Sequence, residues 1–262
     1  MSTTDNKNVG KIFLLVVAVL IGVLLIGNLG QNEEEEERET PNVSQKNNQN
    51  NKPVTTINEK AAKLLELERY DEAIALFEGL LKEEGANYRV AHNIGIAYSK
   101  KGSYAKAIEY FEQAVKNNDA FEEGHYSLGV TYERMKNKQS ALEAFQKVLV
   151  LNPESKKTLL RIGSIYDQQK KYNEAIAMYQ KAIKIDSMYY TAYYNMGNAF
   201  LHQNNLDEAI KYYEQTIKIN PDYPKSYVNL ANCYQRTGKE QEAQNLFRKA
   251  LELDPSLQKK VK

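Results

Sequence analysis

From residue 54 to residue 257 the chain repeats itself every 34 residues, without insertion or deletion. The segments 54–87, 88–121, 122–155, 156–189, 190–223 and 224–257 keep the same residue types in fixed columns. Position 8 holds Ala61, Gly95, Gly129, Gly163, Gly197 and Ala231, and position 20 is alanine throughout, from Ala73 to Ala243. Position 11 holds Leu64, Tyr98, Tyr132, Tyr166, Phe200 and Tyr234, and position 24 holds Phe77, Phe111, Phe145, Tyr179, Tyr213 and Phe247. Such a period limits the fold to stacked units, because one unit cannot bury its apolar face alone and must cover it with the next.

Within a unit, apolar residues recur at three- and four-residue spacing, the mark of an amphipathic helix. In 88–121 the pattern predicts helix A over roughly 88–101 and helix B over roughly 104–117. Gly102 supplies the turn between them, and Asn204 holds the same place in the fifth unit. Small residues at positions 8 and 20 let the paired helices approach. The rings at 11 and 24 are expected to fill the space between hairpins. Proline at position 32 (Pro153, Pro221, Pro255) is expected to end helix B.

These columns resemble the tetratricopeptide repeat family, most closely in AYYNMGNAFLHQNNLDEAIKYYEQTIKINPDY (192–223) and KSYVNLANCYQRTGKEQEAQNLFRKALELDPSL (225–257). The resemblance implies an all-α, right-handed superhelical solenoid of six helical hairpins. Its departures are few. The family's frequent tryptophan at position 4 is replaced throughout, position 32 is Gly85, Asp119 and Ser187 in three repeats, and Lys60 stands in an otherwise apolar column. In the last repeat Gln244 and Glu240 replace mostly apolar residues, so the array is expected to end at six. Leu246 and Leu251 leave end-to-end self-association as the alternative.

In this family helix A lines a concave groove through positions 2, 5, 6, 9, 12 and 13. Carried onto this chain, the candidate peptide-binding residues are Asn93, Tyr126, Lys157, Arg161, Tyr194, Asn195, Asn198, Lys225, Asn229 and Asn232, with Arg89 further away. The block Asn195, Asn198, Asn229, Asn232 offers amide donors and acceptors that can hold the main chain of an extended peptide. The same asparagines belong to the family consensus, so they serve equally well as supports for the helix pair. The family's clamp for C-terminal carboxylates is incomplete, since Tyr194 stands where it needs lysine.

Chemistry-bearing constellations are missing from the sequence. There is no H-E-x-x-H, G-x-S-x-G or phosphate-cradling glycine loop. His92, His125 and His202 fall at positions 5, 4 and 13 of three different repeats; His125 reads as packing and the other two as groove-facing. Cys233, the only cysteine, shares a column with Ala97 and Ala199 and reads as a small packing residue. The expectation is a protein-binding module that is not an enzyme and has no metal or cofactor. A net charge of +1, from 35 basic and 34 acidic residues, gives no bulk drive toward nucleic acid.

Residues 12–27, IFLLVVAVLIGVLLIG, follow a short tail (1–11) and are uncharged. The run is long enough for the roughly 30 Å hydrocarbon core of a bilayer. Two readings stay open. One is an uncleaved signal anchor over 12–30; the other is a cleaved secretory signal with Lys7 and Lys11 as its basic end. No A-x-A-like site follows, which favours the anchor. Lys7 and Lys11 favour a cytoplasmic N-terminus, although Arg38 and Lys46 blunt the asymmetry. The expectation is a single-pass protein of the plasma (inner) membrane with its repeats outside the cytoplasm. Residues 31–53, acidic and then asparagine-rich, have almost nothing to bury and read as a disordered tether, with a C-terminal tail at 258–262. The functional expectation is a membrane-tethered adaptor binding a protein or extended peptide; the alternative is a self-assembling homo-oligomer that coats a membrane surface.

Overall fold

The computed structural model describes residues 52–85 and 87–259. The expected anchor at 12–30 and most of the tether lie outside the described residues. Among those described, no helix is long and apolar enough to cross a membrane.

The described chain is an all-helical solenoid of paired antiparallel helices. The A helices are α1 (Lys52–Glu66), α3 (Tyr88–Lys100), α5 (Glu122–Arg134), α7 (Lys156–Gln168), α9 (Tyr190–His202) and α11 (Pro224–Arg236). The B helices are α2 (Tyr70–Glu84), α4 (Tyr104–Asn117), α6 (Lys138–Leu151), α8 (Tyr172–Ile185), α10 (Leu206–Ile219) and α12 (Glu240–Leu253). Helix α1 begins at Lys52 and so takes in Lys52 and Pro53, which composition had assigned to the tether. Proline is tolerated in a first turn, where no intrahelical partner awaits its missing N–H.

The turn between A and B is one motif used six times. Position 15 is left-handed in every hairpin: Glu68 (φ 57°), Gly102 (81°), Lys136 (60°), Lys170 (61°), Asn204 (61°) and Gly238 (78°). The next N–H reaches back to the carbonyl of position 11, as from Ser103 to Tyr98 (2.8 Å) and from Lys171 to Tyr166 (2.9 Å). The position-15 N–H reaches the carbonyl of position 12, as from Lys136 to Glu133 (2.8 Å). These two bonds satisfy orphan carbonyls at the end of helix A. Helix B ends by a different device. Asn118, Asn152, Asp186, Asn220 and Asp254 at position 31 each accept a backbone N–H two residues on, at 2.9–3.2 Å. This side-chain turn operates with or without the proline that follows.

Core packing splits the two ring columns between two jobs. A Cβ built on Gly95, Gly129, Gly163 or Gly197 would meet the position-24 ring of its own hairpin at 2.4–2.6 Å. The position-24 ring therefore sits inside a hairpin, not between hairpins as expected. The position-11 ring does bridge hairpins. The hydroxyls of Tyr98, Tyr132 and Tyr234 donate to Glu78, Glu112 and Glu214, each on helix B of the preceding repeat, at 3.4, 2.9 and 2.8 Å. After α12 a short 3-10 turn, Pro255–Lys259, folds back and buries Leu257 against Tyr227, Ala231 and Phe247.

Candidate functional site

Pairings between successive A helices define their shared inner face. Arg161 Nη1 on α7 lies 3.6 Å from Glu133 Oε2 on α5, joining position 6 to position 12. His202 Nδ1 on α9 lies 3.0 Å from Asp167 Oδ1 on α7, joining 13 to 12. Asn229 Nδ2 on α11 donates to Asn198 Oδ1 (2.9 Å) and to the Tyr194 hydroxyl (3.1 Å) on α9, joining 6 to 9 and 5. Positions 5, 6, 9, 12 and 13 thus face one another across the stack, the arrangement that the family resemblance implied.

The asparagine block divides in two. Asn198 and Asn229 are structural as well as surface groups. The Tyr213 hydroxyl rises from the core and donates to Asn198 Oδ1 at 2.8 Å, while Asn229 donates to the same oxygen. Burial pushes the Tyr213 phenol well above the usual tyrosine range, so it stays a donor. The Tyr194 phenol is also raised by burial, opposed by its bonds to the two asparagines. Asn198 Oδ1 accepts twice and Asn198 also bonds Tyr194, which leaves Asn229 Oδ1 as the amide atom of the pair with no hydrogen bond among the described residues. The network therefore fixes one amide acceptor on α11. Asn195 and Asn232 are half-buried, and their side chains make no hydrogen bond among the described residues. They have no structural duty comparable to that of the other two.

The other candidates scatter. Lys157 is exposed and Lys225 half-buried. Arg161 pairs with Glu133. Tyr126 is half-buried with its ring 5.6 Å from Phe145. Asn93 is a correction: it is only 2% exposed, as its neighbours His92 and Ile96 are at 4% and 0%, and it presents no amide surface to a ligand. His92 is a second correction. It is wedged between Phe111 and Phe121, at 5.2 and 4.9 Å, with Nε2 2.9 Å from Ser127 Oγ. Burial pushes its pKa down to about 4. Its role is to join the second and third hairpins. His125 packs as expected, buried with Nε2 2.9 Å from the Asp119 carbonyl oxygen.

Sequence reasoning missed Tyr213, Tyr190 and Tyr223. One signal was present: position 24 is tyrosine only in the fourth and fifth repeats, and a hydroxyl placed there needs a polar partner. Cys233 is fully buried and its thiol is pushed up by burial, the opposite of what an activated nucleophile needs. Among the described residues no three His, Cys, Asp or Glu side chains come together as a metal site. What the inner face of α7, α9 and α11 offers is directed hydrogen bonding and aromatic surface.

Comparison with known proteins agrees with the repeat fold. Tetratricopeptide repeat models match residues 64–128, 122–155, 163–204 and 189–256. No curated protein sequence matches the chain. Among solved structures, a crystal structure of MamA is 30% identical, over 63% of this chain and 97% of that one, with a TM-score of 0.58. MamA from Desulfovibrio magneticus RS-1 (23% identity, 66% and 98% covered, TM-score 0.60) shares the fold. So does a tetratricopeptide repeat protein from Parabacteroides merdae (19% identity, 76% and 79% covered, TM-score 0.67).

Proposed function

Because the chain belongs to the tetratricopeptide repeat family, we propose that it is a membrane-anchored, non-catalytic adaptor that holds an extended protein segment along the inner face of its last three repeats. The observation that carries this reading is the Tyr213–Asn198–Asn229–Tyr194 network. It holds Asn229 Oδ1 ready for a main-chain N–H, with little side-chain entropy left to lose. Asn195 and Asn232 extend the amide surface along the same helices.

The anchor is the uncharged run of residues 12–27, with residues 12–30 as the span and the repeats placed outside the cytoplasm. Protease accessibility in intact cells tests the orientation; repeats protected until the membrane is opened would reverse it.

The functional test is in-cell crosslinking with the anchor intact. Asn195→Ala with Asn232→Ala should lose the crosslinked partner while melting within about 0.5 kcal/mol of the parent, as surface changes do. Undiminished crosslinking would remove the groove from the account. A self-assembly reading has its own observation. Val150 is 77% exposed where Lys82, Lys116, Lys184 and Lys218 stand in other repeats, with Leu151, Ile185 and Met188 exposed nearby in the sequence pattern. Light scattering of the detergent-solubilised chain distinguishes it, since self-assembly through this face would be abolished by Val150→Lys.

A further inference from the structure

The adaptor reading leaves the chemistry of the held segment open, and three features on and beside the same inner face narrow it. The first is charge. At the groove positions, repeats four to six carry Lys157, Arg161, Lys225 and Arg236 against Asp167, four positive and one negative, a net of +3. The first three repeats carry three basic and four acidic residues at the same positions, a net of −1. The amide network therefore lies in the basic half.

The second is an aromatic triad at positions 1, 5 and 34 of the fifth repeat. Tyr190 and Tyr194 both contact Tyr223, with ring centroids 5.2 and 5.1 Å away. The second repeat carries a counterpart at the same positions. Tyr88 and His92 both contact Phe121 at 4.9 Å. There His92 and Phe121 are buried, at 4% and 5% exposed, and the triad is part of the core. All three tyrosines of the fifth-repeat triad are half-buried and keep part of their rings at the surface. The third feature is continuity: Tyr194 belongs both to the triad and to the asparagine network.

We propose that the groove takes an extended, acidic, proline-bearing segment of a partner protein, a proposal that rests on the adaptor reading above. The prolyl ring sits on the Tyr190, Tyr194 and Tyr223 faces. The neighbouring main-chain groups meet the Asn229 amide oxygen and the amides of Asn195 and Asn232, and a flanking carboxylate meets Lys225. A tyrosine box also suits an ammonium group, but a net charge of +3 around it repels one. Proline answers the same surface without charge, and its polyproline-type conformation is already extended, so less chain entropy is lost on binding. The carboxylates need not be terminal, because Tyr194 occupies the place where a carboxylate clamp needs lysine.

Fluorescence anisotropy on the full chain in detergent tests this with short, C-terminally amidated probes alternating glutamate and proline. Replacing proline by alanine in the probe should weaken binding at least tenfold. Replacing glutamate by glutamine should do the same and remove most of the salt dependence. Lys225→Gln should reproduce the glutamine effect and Tyr223→Leu the alanine effect, with circular dichroism confirming the helix content of each variant. Equal binding of all probes, or no binding of the glutamate–proline probe, overturns the proposal. If the probe fails while Asn195→Ala with Asn232→Ala still abolishes cellular crosslinking, only the ligand class falls. If crosslinking is also indifferent to those asparagines, the groove reading falls with it.

Discussion

His92 makes acid stability a quantitative test of how the second and third hairpins are joined. Its imidazole is 4% exposed, between two phenylalanine rings, and burial holds its pKa near 4 against an ordinary 6.5. The folded chain thus binds this proton more weakly than the unfolded chain. Below pH 6.5 the unfolded state takes up the proton and the folded state does not, so stability falls with acid until about pH 4. A displacement of that size corresponds to about 3 kcal/mol between pH 7.5 and pH 4. His92→Phe provides the reference, because phenylalanine keeps a ring against Phe111 and Phe121 and cannot titrate. The variant loses the bond to Ser127 and starts about 1 kcal/mol less stable at pH 7.5. It then escapes the acid penalty, so the order should reverse near pH 6. Urea unfolding followed by far-ultraviolet circular dichroism across this range measures the difference directly. Carboxylate protonation affects both proteins alike and cancels. Parallel curves from pH 7.5 to pH 4 would refute the assignment of His92 as a buried neutral joint.

Other expectations follow from the packing and the turns. Gly163→Ala gains about 1 kcal/mol of helix propensity but drives a methyl to within 2.4 Å of the Tyr179 ring. Overpacking of this kind costs roughly 1–3 kcal/mol, so the thermal midpoint should fall. Lys136→Gly or Lys170→Gly removes a side chain from a left-handed residue; each should raise stability by about 0.5–1 kcal/mol in urea titration. Tyr213→Phe should cost about 1 kcal/mol by removing a donor from Asn198, whereas the paired change at Asn195 and Asn232 should cost little. In alkali, burial followed by a bond to a glutamate holds the phenols of Tyr110, Tyr132 and Tyr234 at about 12. Their contribution is intact below pH 10 and is lost as pH rises from 10 to 12. Absorbance at the phenolate wavelength should show these tyrosines ionising only with unfolding.

Much of this architecture was legible because a 34-residue period carries its own alignment. Gly102 announced its turn, and the match of small position 8 to ringed position 24 announced close packing. The left-handed residues Glu68, Lys136 and Lys170 were not legible, because nothing in their side chains asks for that conformation. It is imposed by the two backbone bonds that close helix A. The division within the asparagine block was hidden for another reason. Asn198 is tied by a hydroxyl 15 residues away on another helix, and one column read alone cannot show it. Asn93 shares a column with Asn195 and Asn229, yet the packing around His92 buries it. Column membership gives the side of the helix; exposure depends on neighbouring repeats.

The longest side-chain bonds described above, His92 to Ser127, Asp167 to His202 and Tyr194 to Asn229, each span 35 residues. Influence in this array therefore travels as it does along a row of dominoes, one neighbour at a time. A segment gripped by the last three hairpins would slow amide exchange there most, less in the third, and scarcely in the first. The first hairpins would then be free to open and close beside an occupied groove. One end of the molecule could keep hold of its cargo while the other yields to pull or crowding.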